Sequence, residues 1–543
     1  MNVAAHLSTS AQARGDHAAI IEPSGTRSWR VTSFRELDQR CDALAHGLIE
    51  RGIAPGDRVA LFVRPGLDLI AITFALFKTG AIPILIDPGM GRANVVSCLE
   101  RTRPRVLIGV WQSQVLLRLY ARRLSSIAIG IQVGSLALPG LETLNHIARP
   151  SRGAFRPCAP LDSRPAAILF TSGSTGPPKG VEYTHALFNA QIALLRELYA
   201  FAPGERDLAC FPLFALFDAA LQTTAVIPRL DPMRPAECDP SAIADALLAH
   251  GCTYGFGSPA IWKRVVPWAL ANGTRFPTLT RALIAGAPVS PSLIADLATL
   301  IAPGGDAHTP YGATECLPVS SICGAEFAGG VRALVEGGHG SCVGRPAPGL
   351  NVAIVPVSDA PLEHVAPLAP GTIGEICVRG PVVTRAYADD AAATRRAKII
   401  DGDTCWHRMG DAGYFDGSGR LWTVGRLAHR IETRGGSVWP VPLENVCDLH
   451  PAVARTALVA DGTREPCLVV EPHARSPRRS SPARAALLSE MRALVAAKRM
   501  PGAPAELDFP SRLIECRAFP VDVRHNAKIR REELALLAAE DAP

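Results

Sequence analysis

The stretch that decides the fold is Thr171-Ser172-Gly173-Ser174-Thr175-Gly176-Pro177-Pro178-Lys179-Gly180. It directly follows an apolar run, residues 166–170, that reads as a buried strand, so the strand ends in a turn of small residues. Glycines let backbone N–H groups approach an anion, the four hydroxyls donate hydrogen bonds, and Lys179 adds a positive charge. We interpret the stretch as a loop that cradles phosphate groups. It is not a Walker A loop, because Pro178 precedes the lysine and Gly180 follows it.

A flexible, low-complexity surface loop is the alternative reading of the glycines and hydroxyls alone. The whole string 171–180, however, resembles the signature of the AMP-forming adenylate ligase superfamily, which includes acyl-CoA synthetases, luciferases and the adenylation domains of peptide synthetases. That resemblance implies ATP as the nucleotide, Mg²⁺ as its metal, and a carboxylic acid that is joined to AMP with release of pyrophosphate.

Two downstream motifs match what the resemblance requires. They are Gly286-Ala287-Pro288 and Tyr311-Gly312-Ala313-Thr314-Glu315. The resemblance implies that the first is the turn beside adenine and that Tyr311 offers adenine a flat face. It also implies that Thr314 presents a hydroxyl to phosphate and Glu315 a hard oxygen ligand to Mg²⁺, both as catalytic residues. A lone tyrosine or glutamate in such a place is more often structural.

Further motifs lie towards the C-terminus. Met409-Gly410-Asp411 resembles the family's Thr-Gly-Asp, with methionine in place of the hydroxyl residue. The resemblance implies that Asp411 holds both ribose hydroxyls and that Arg426 lies near the ribose or the α-phosphate. Lys528 matches the mobile lysine that the superfamily brings to the α-phosphate and the attacking carboxylate, where it stabilises developing charge. The alternative for Lys528, so near the chain end, is a solvated side chain.

Three features indicate a particular branch of the superfamily. They are the run Phe211 to Phe217, the string Cys342 to Pro346, and Arg524-His525-Asn526-Ala527-Lys528. Ala215 stands where many acyl-CoA synthetases carry a histidine, and Asn-Ala-Lys replaces the usual Thr/Ser-Gly-Lys. All three resemble the OleC-type β-lactone synthetases of olefin biosynthesis. That resemblance implies a long-chain β-hydroxy acid as substrate, whose own hydroxyl attacks the activated carbonyl, and other enzymes of an olefin pathway as partners.

Alternatives remain open at this point. A fatty acyl-CoA ligase or an acyl-AMP ligase serving a carrier protein uses the same site, with CoA or the carrier protein as acceptor. A non-catalytic ligand-binding or scaffold protein on the same fold is a third, although such a protein does not need Lys179, Glu315, Asp411 and Lys528 together. The run from Phe211 to Phe217 is either a wall for an alkyl chain or an ordinary buried strand, and no general base is evident.

The fold class that the pattern favours is α/β, because helical stretches alternate with short apolar strands. Helical spacing over 34–51 is followed by strands predicted at 58–63 and 82–86. Residues 329–349 and 355–371, rich in Gly and Pro, are interpreted as connections within a more β-rich portion. The predicted division is a large N-terminal domain, residues 1–424, and a small mobile α/β domain, residues 425–543, whose closure assembles the site.

Composition excludes several classes of protein. The chain of 543 residues is 48% hydrophobic, and its 56 Lys plus Arg against 50 Asp plus Glu argue against a nucleic-acid binder. The basic stretch 476–484 is read as a solvated loop rather than a site for an anionic partner. The 14 cysteines are interpreted as reduced thiols, no signal peptide or membrane span is evident, and a cytoplasmic location is expected.

Overall fold

The structure is a computed structural model. It describes residues 1–25, 28–134, 138–148, 153–160, 164–170, 177–211, 213–402, 404–433, 436–461, 465–473, 480–498, 500, 509–521 and 529–540. Residues Thr171, Ser172, Gly173, Ser174, Thr175 and Gly176 of the predicted phosphate loop lie outside the described residues, as does Lys528. Their predicted roles therefore stay predictions.

The helices within the described ranges are these: α1 Ala5–Arg14, α2 Phe34–Glu50, α3 Leu67–Thr79, α4 Arg92–Thr102, α5 Trp111–Leu119, α6 Leu144–Ile147, α7 His185–Tyr199, α8 Ala215–Leu221, α9 Pro240–Ala249, α10 Pro259–Ala271, α11 Pro291–Ala298, α12 Gly324–Glu326, α13 Arg332–Glu336, α14 Ala391–Ala397, α15 Pro440–Cys447, α16 Ser481–Lys498 and α17 Arg531–Glu540.

The strands within the same ranges are these: β1 Ala18–Pro23, β2 Trp29–Ser33, β3 Arg58–Phe62, β4 Ile82–Leu85, β5 Val106–Gly109, β6 Ile129–Gln132, β7 Glu142–Thr143, β8 Ala167–Phe170, β9 Gly180–Tyr183, β10 Arg206–Ala209, β11 Thr224–Val226, β12 Tyr254–Gly257, β13 Arg281–Ile284, β14 Asp306–Ala313, β15 Cys316–Cys323, β16 Ser341–Pro346, β17 Asn351–Val355, β18 Gly374–Arg379, β19 Lys398–Asp401, β20 Thr404–Phe415, β21 Leu421–Arg426, β22 Ile431–Thr433, β23 Gly436–Val438, β24 Val453–Ala460, β25 Pro466–Pro472 and β26 Arg512–Glu515.

The N-terminal third builds a seven-stranded sheet in the order β7-β6-β5-β3-β4-β8-β9. Its strands are parallel except for β9, which forms an antiparallel hairpin with β8. Helix α2 starts at a capping box, in which the Ser33 hydroxyl accepts from the Glu36 N–H and the Glu36 carboxylate accepts from the Ser33 N–H. Helix α3 is buried on all sides, which explains why its sequence is almost wholly apolar. The predicted α/β class is confirmed here.

A larger sheet of fourteen strands follows the path β17-β18-β20-β21-β16-β15-β14-β13-β12-β10-β11-β1-β2, with β19 beside β20. From β11 to β14 its strands run parallel, and from β14 onwards they run antiparallel. The antiparallel half is the β-rich portion that the sequence predicts. The connection expected for residues 355–371 is confirmed between β17 and β18, whereas residues 329–349 contain helix α13 and strand β16. The expectation of a plain connection there was wrong.

The run Phe211 to Phe217 is not a strand. After Leu213 the chain turns into helix α8, which begins at Ala215 and ends at Leu221, where the next residue, Gln222, adopts a left-handed conformation. The buried-strand alternative was therefore wrong. Phe211 and Leu213 instead line a cavity, so the alkyl-wall alternative keeps its physical basis.

Beyond β21 the chain forms the small hairpin β22-β23 and the three-stranded sheet β24-β25-β26. Two apolar clusters there contain only residues from Ile431 onwards, with α15 and α16 near one face of the sheet and α17 near the other. The domain boundary at residue 424 stays a prediction. Of the helices in the described ranges, none combines the length and apolarity that crossing a bilayer requires. All 14 cysteines are free thiols, and ten of them are buried.

Candidate active site

A cavity of about 1880 Å³ is lined by residues from both large sheets. It lies at the ends of parallel strands, where open α/β sheets bind their ligands. The cavity brings together many of the residues that the sequence singled out, namely Lys179, Gly286, Gly312, Thr314, Glu315 and Arg426. These residues are spread over 248 positions of the chain and meet because both sheets contribute to one cavity.

The phosphate loop is anchored at both of its ends. Phe170 at the end of β8 is paired with Gly180 at the start of β9, so the residues that flank the predicted loop are held together. A Cβ on Gly180 would lie 2.9 Å from the Ile168 side chain, which explains the glycine. The Arg101 guanidinium donates to the Pro178 carbonyl and fixes the backbone next to Lys179.

Tyr311, Asp411 and Arg426 form one hydrogen-bonded group. The Tyr311 hydroxyl donates to Asp411 Oδ2 at 2.6 Å, and Arg426 Nε lies 3.0 Å from Asp411 Oδ1. Strands β20 and β21 place Asp411 directly opposite Arg426. Burial, with the Asp411 carboxylate next in importance, raises the pKa of Tyr311, and the Asp411 charge raises the pKa of Arg426. The phenol and guanidinium therefore keep their protons and remain hydrogen-bond donors at neutral pH.

The turn Gly286-Ala287-Pro288 begins two residues after the end of β13, and of its three residues Gly286 lines the cavity. Gly286 has a φ of 98°, a left-handed conformation that side chains rarely adopt. Gly312 lies at a bulge between β14 and β15, where a Cβ would be 2.6 Å from the Cys316 carbonyl oxygen. Both glycines are thus required by the backbone path that presents the turn and the Tyr311 strand to the cavity.

Thr314 and Glu315 form the tight connection between β14 and β15. The Tyr183 hydroxyl donates to the Thr314 carbonyl at 2.5 Å, which fixes the backbone and leaves the threonine side chain at the cavity. The Tyr387 hydroxyl donates to Glu315 Oε1 at 2.6 Å. The Glu315 carbonyl accepts from the Thr384 N–H at 2.9 Å and from the Thr384 hydroxyl at 3.1 Å.

Several of these partners were missed by the sequence reasoning. Tyr387 sits in an alanine-rich stretch, and Lys398 follows two arginines, so neither carries a local signal of function. Lys398 Nζ donates to the Thr384 carbonyl at 2.6 Å, inside the protein. His407 on β20 also lines the cavity, and burial together with the charge of Lys398 lowers its pKa, so its ring is neutral at pH 7.

The residues fit Mg²⁺ bound as its nucleotide complex. Within the described part of the chain there is no group of three His, Cys, Asp or Glu side chains that could hold a metal ion alone. Mg²⁺ is commonly held by one or two carboxylates plus the phosphates and water. Glu315 is a carboxylate of this kind at the cavity, and its Oε1 accepts a hydrogen bond from Tyr387.

The apolar end of the cavity is aromatic and aliphatic. Phe211 and Phe256 line it, with ring centroids 5.7 Å apart, and Phe256 stacks at 4.2 Å on the buried Phe214, which does not belong to the lining. Other apolar side chains along this wall are Leu213, Ile227, Leu230 and Ile261. Such a surface excludes water and suits a hydrocarbon chain.

The comparison with known proteins agrees with this geometry. The family described as AMP-binding enzyme matches residues 7–388. The olefin beta-lactone synthetase of Xanthomonas campestris pv. campestris is 42% identical, and the match covers 99% of this chain and 98% of that relative. The olefin beta-lactone synthetase of Stenotrophomonas maltophilia is also 42% identical, with the same shares of 99% and 98%.

Among solved structures, the amide bond synthetase McbA of Marinactinospora thermotolerans has a TM-score of 0.80 at 22% identity, covering 98% of this chain and 99% of that one. At this identity the likeness concerns the fold alone. It confirms the expected fold along nearly the whole chain.

Proposed function

The chain belongs to the AMP-binding enzyme family, and from that premise we propose that it activates a β-hydroxy carboxylic acid as an acyl adenylate and closes it to a β-lactone. The observation that carries the proposal is the 42% identity, over nearly the full length of both chains, to two olefin beta-lactone synthetases. The predicted resemblance of the chain to the AMP-forming adenylate ligases and to the β-lactone synthetases is thereby confirmed.

The nucleotide would lie along the β14, β20 and β21 wall. Tyr311 would stack on adenine, Asp411 would accept hydrogen bonds from the ribose hydroxyls, and Arg426 would lie beside the ribose or α-phosphate. Lys179 and the loop 171–176 would contact the phosphates. Bound Mg²⁺ would supply charge neutralisation at the phosphate oxygens, held by Glu315.

In the first step a carboxylate oxygen attacks the α-phosphorus, and the bond to the pyrophosphate oxygen breaks in line with it. Negative charge spreads over the phosphate oxygens in the transition state. The cations Lys179, Arg426 and Lys528 are proposed to stabilise that charge, because preformed cations in a partly dry site need little reorganisation. Thr314 would add a hydroxyl donor to the α-phosphate.

In the second step the β-hydroxyl oxygen attacks the acyl carbonyl carbon, the carbonyl–phosphate bond breaks, AMP leaves and the hydroxyl proton is released. The nucleophile is tethered to its target, and well-oriented intramolecular reactions reach effective concentrations on the order of 10⁵ M. Ring strain reduces that advantage in a four-membered ring. The apolar wall near Phe211 and Phe256 would help by keeping water away from the activated carbonyl.

The experiment is mass analysis of the products after incubation with ATP, Mg²⁺ and a long-chain β-hydroxy acid, with and without coenzyme A. We expect AMP and a product lighter than the acid by one water, in equal yield with or without the thiol. A thioester formed only with coenzyme A would make the chain an acyl-CoA ligase. Transfer of the acyl group to an added carrier protein would make it an acyl-AMP ligase instead.

The remaining parts of the proposal are a long alkyl chain on the acid, a cytoplasmic location and a place beside other enzymes of olefin formation. The apolar lining of the cavity supports the long chain. The chemistry requires a preceding reaction that makes a β-hydroxy acid and a following one that removes carbon dioxide from the lactone, if an olefin is the end product.

A further inference from the structure

Residues 383–388, called the strap below, connect the two sheets at the site. At one end, Val383 forms an antiparallel bridge to Cys316, the first residue of β15. At the other, the Ala388 N–H donates to the Gly180 carbonyl at 2.7 Å, and the strap carbonyl of Ala386 accepts from β9 at 3.2 Å. The strap therefore joins the hairpin that carries the phosphate loop to the connection that carries Glu315.

Tyr387 occupies the middle of this arrangement and is 6% exposed. Its hydroxyl donates to Glu315 Oε1 at 2.6 Å, while its ring face lies 5.1 Å from the Lys179 ammonium. One side chain thus contacts both the carboxylate and the lysine that the sequence singled out. A backbone bridge between Tyr387 and Val181 fixes the position of the ring along β9.

The chemistry of the phenol suits a fixed donor. A phenol hydroxyl donates one hydrogen bond, and here that bond goes to the Glu315 carboxylate. A hydrogen bond to Oε1 orients the carboxylate and leaves Oε2 directed elsewhere. The ring face attracts the ammonium through its quadrupole, which favours one position of the flexible lysine.

The strap is also held by a hydrogen bond from the buried side chain of Lys398. Lys398 is 4% exposed, and its Nζ donates to the Thr384 carbonyl at 2.6 Å. Thr384 in turn donates to the Glu315 carbonyl through both its N–H and its hydroxyl. Glu315 is thus fixed at its backbone by Thr384 and at its carboxylate by Tyr387.

We propose that Tyr387 is a positioning residue that sets the Glu315 carboxylate and the Lys179 ammonium at a fixed separation, so that the divalent cation and the phosphates of the nucleotide are bound by one preorganised unit. The inference rests on the proposed function, because it assumes that Glu315 meets a metal–nucleotide complex. It concerns metal affinity, which is separable from the identity of the acid and from the lactone step.

The test uses the full chain with Mn²⁺ as the probe, measured by electron paramagnetic resonance in the presence of a non-hydrolysable ATP analogue. Tyr387→Phe keeps the ring and removes the hydroxyl, so we expect Mn²⁺ to bind about 3- to 10-fold more weakly, the range that a lost hydrogen bond produces. The Mg²⁺ concentration for half-maximal pyrophosphate exchange should rise by the same factor, with the KM for the acid unchanged. Tyr387→Leu should in addition weaken nucleotide binding, because the contact with Lys179 is lost.

Tyr199→Phe is the matched control, since it removes a buried phenol hydroxyl that donates to Ser321 at 3.2 Å. It should leave Mn²⁺ binding unchanged, and melting temperatures of all variants establish that they fold. Wild-type Mn²⁺ affinity in a folded Tyr387→Phe protein would overturn the inference. Wild-type protein that binds the Mn²⁺ complex but forms no acyl adenylate would instead overturn the proposed function and leave the Tyr387 comparison valid.

Discussion

Lys398 is an ammonium group held inside the protein, against the Thr384 carbonyl at 2.6 Å. Burial lowers its pKa from 10.5 to about 8, so the folded protein binds this proton less tightly than the unfolded chain does. Below pH 8 the cost of burying the charge is fully present. Between pH 8 and 10.5 the folded side chain loses its proton while the unfolded one keeps it, so this group makes the free energy of unfolding rise with pH.

Comparison of wild-type protein with Lys398→Met isolates this effect, because the other titrating groups are common to both. We expect wild-type stability to increase relative to the variant by up to about 3 kcal/mol between pH 7.5 and 10.5. Denaturant unfolding at several pH values measures the difference, with Lys498→Met as an exposed control. If the free energy of unfolding depended on pH in the same way in wild type and Lys398→Met, the buried ammonium would not contribute to the pH dependence of stability.

Along the proposed nucleotide site, substitution of Asp411 is expected to remove the most contacts. Its carboxylate accepts from Tyr311 at 2.6 Å and faces Arg426 at 3.0 Å, and in the proposed function it also holds the ribose. Asp411→Asn should raise the KM for ATP about 10- to 100-fold, the range for hydrogen bonds to a charged group. The rate of pyrophosphate exchange at several ATP concentrations measures this KM. Glu142→Gln, which removes a surface partner of Arg51, is the control, and an unchanged KM in Asp411→Asn would exclude a ribose contact.

At the residue scale, a prediction from sequence depends on short motifs whose residue types indicate their chemistry. Glu315 and Asp411 each belong to a short motif of the superfamily that the sequence resembles. The structure brings the two motifs together, because the Tyr311 hydroxyl of the first donates to Asp411 of the second. Tyr387 and Lys398 could not be found in this way. Their importance depends on contacts across 72 and 14 positions of the chain, which no local pattern contains.

Among the elements, helix α8 shows how an apolar, aromatic run can suggest a buried strand where the chain forms a helix. Aromatic side chains recur through residues 211–217, but a turn at Phe214 precedes the helix, which leaves Phe211 40% exposed at the cavity. The regular elements α2, β3 and β4 were predicted within one residue of their ends. Periodicity over several turns or a complete strand decides such elements, whereas a seven-residue run of mixed aromatic residues does not.

Phe211 allows a test of this wall. Phe211→Ala removes apolar surface from the cavity but leaves the stacked Phe214 and Phe256 in place. We expect the KM for a long-chain acid to rise about 3- to 10-fold, less than a fully buried phenylalanine would give because the side chain is partly exposed. The KM for ATP and for a four-carbon acid should not change. Leu270→Ala, a similar truncation at the surface of α10, is the control, and equal effects on short and long acids would place the alkyl chain elsewhere.

At the scale of the whole molecule, the cavity is lined by two sheets built from different parts of the chain. The sequence pattern indicated strands β3, β4 and β8 of the smaller sheet but not the arrangement of either sheet. In the larger sheet, β1 from the N-terminus lies beside β11. Such a long-range pairing follows from tertiary packing rather than from local preference. The predicted small domain from residue 425 and its closure over the site likewise depend on packing that sequence alone does not specify.

Lys528 provides the prediction that belongs to this scale. If the C-terminal segment closes over the cavity to place this cation at the α-phosphate, Lys528→Ala should slow pyrophosphate exchange by at least about 100-fold, as loss of a transition-state charge contact does. Melting temperature should not change, because the lysine is expected on an exposed segment. Chemically prepared acyl adenylate bypasses the first step, so the variant should convert it to β-lactone within a few-fold of the wild-type rate. Loss of both steps would mean that the lysine also serves ring closure, and wild-type exchange in the variant would remove Lys528 from the site.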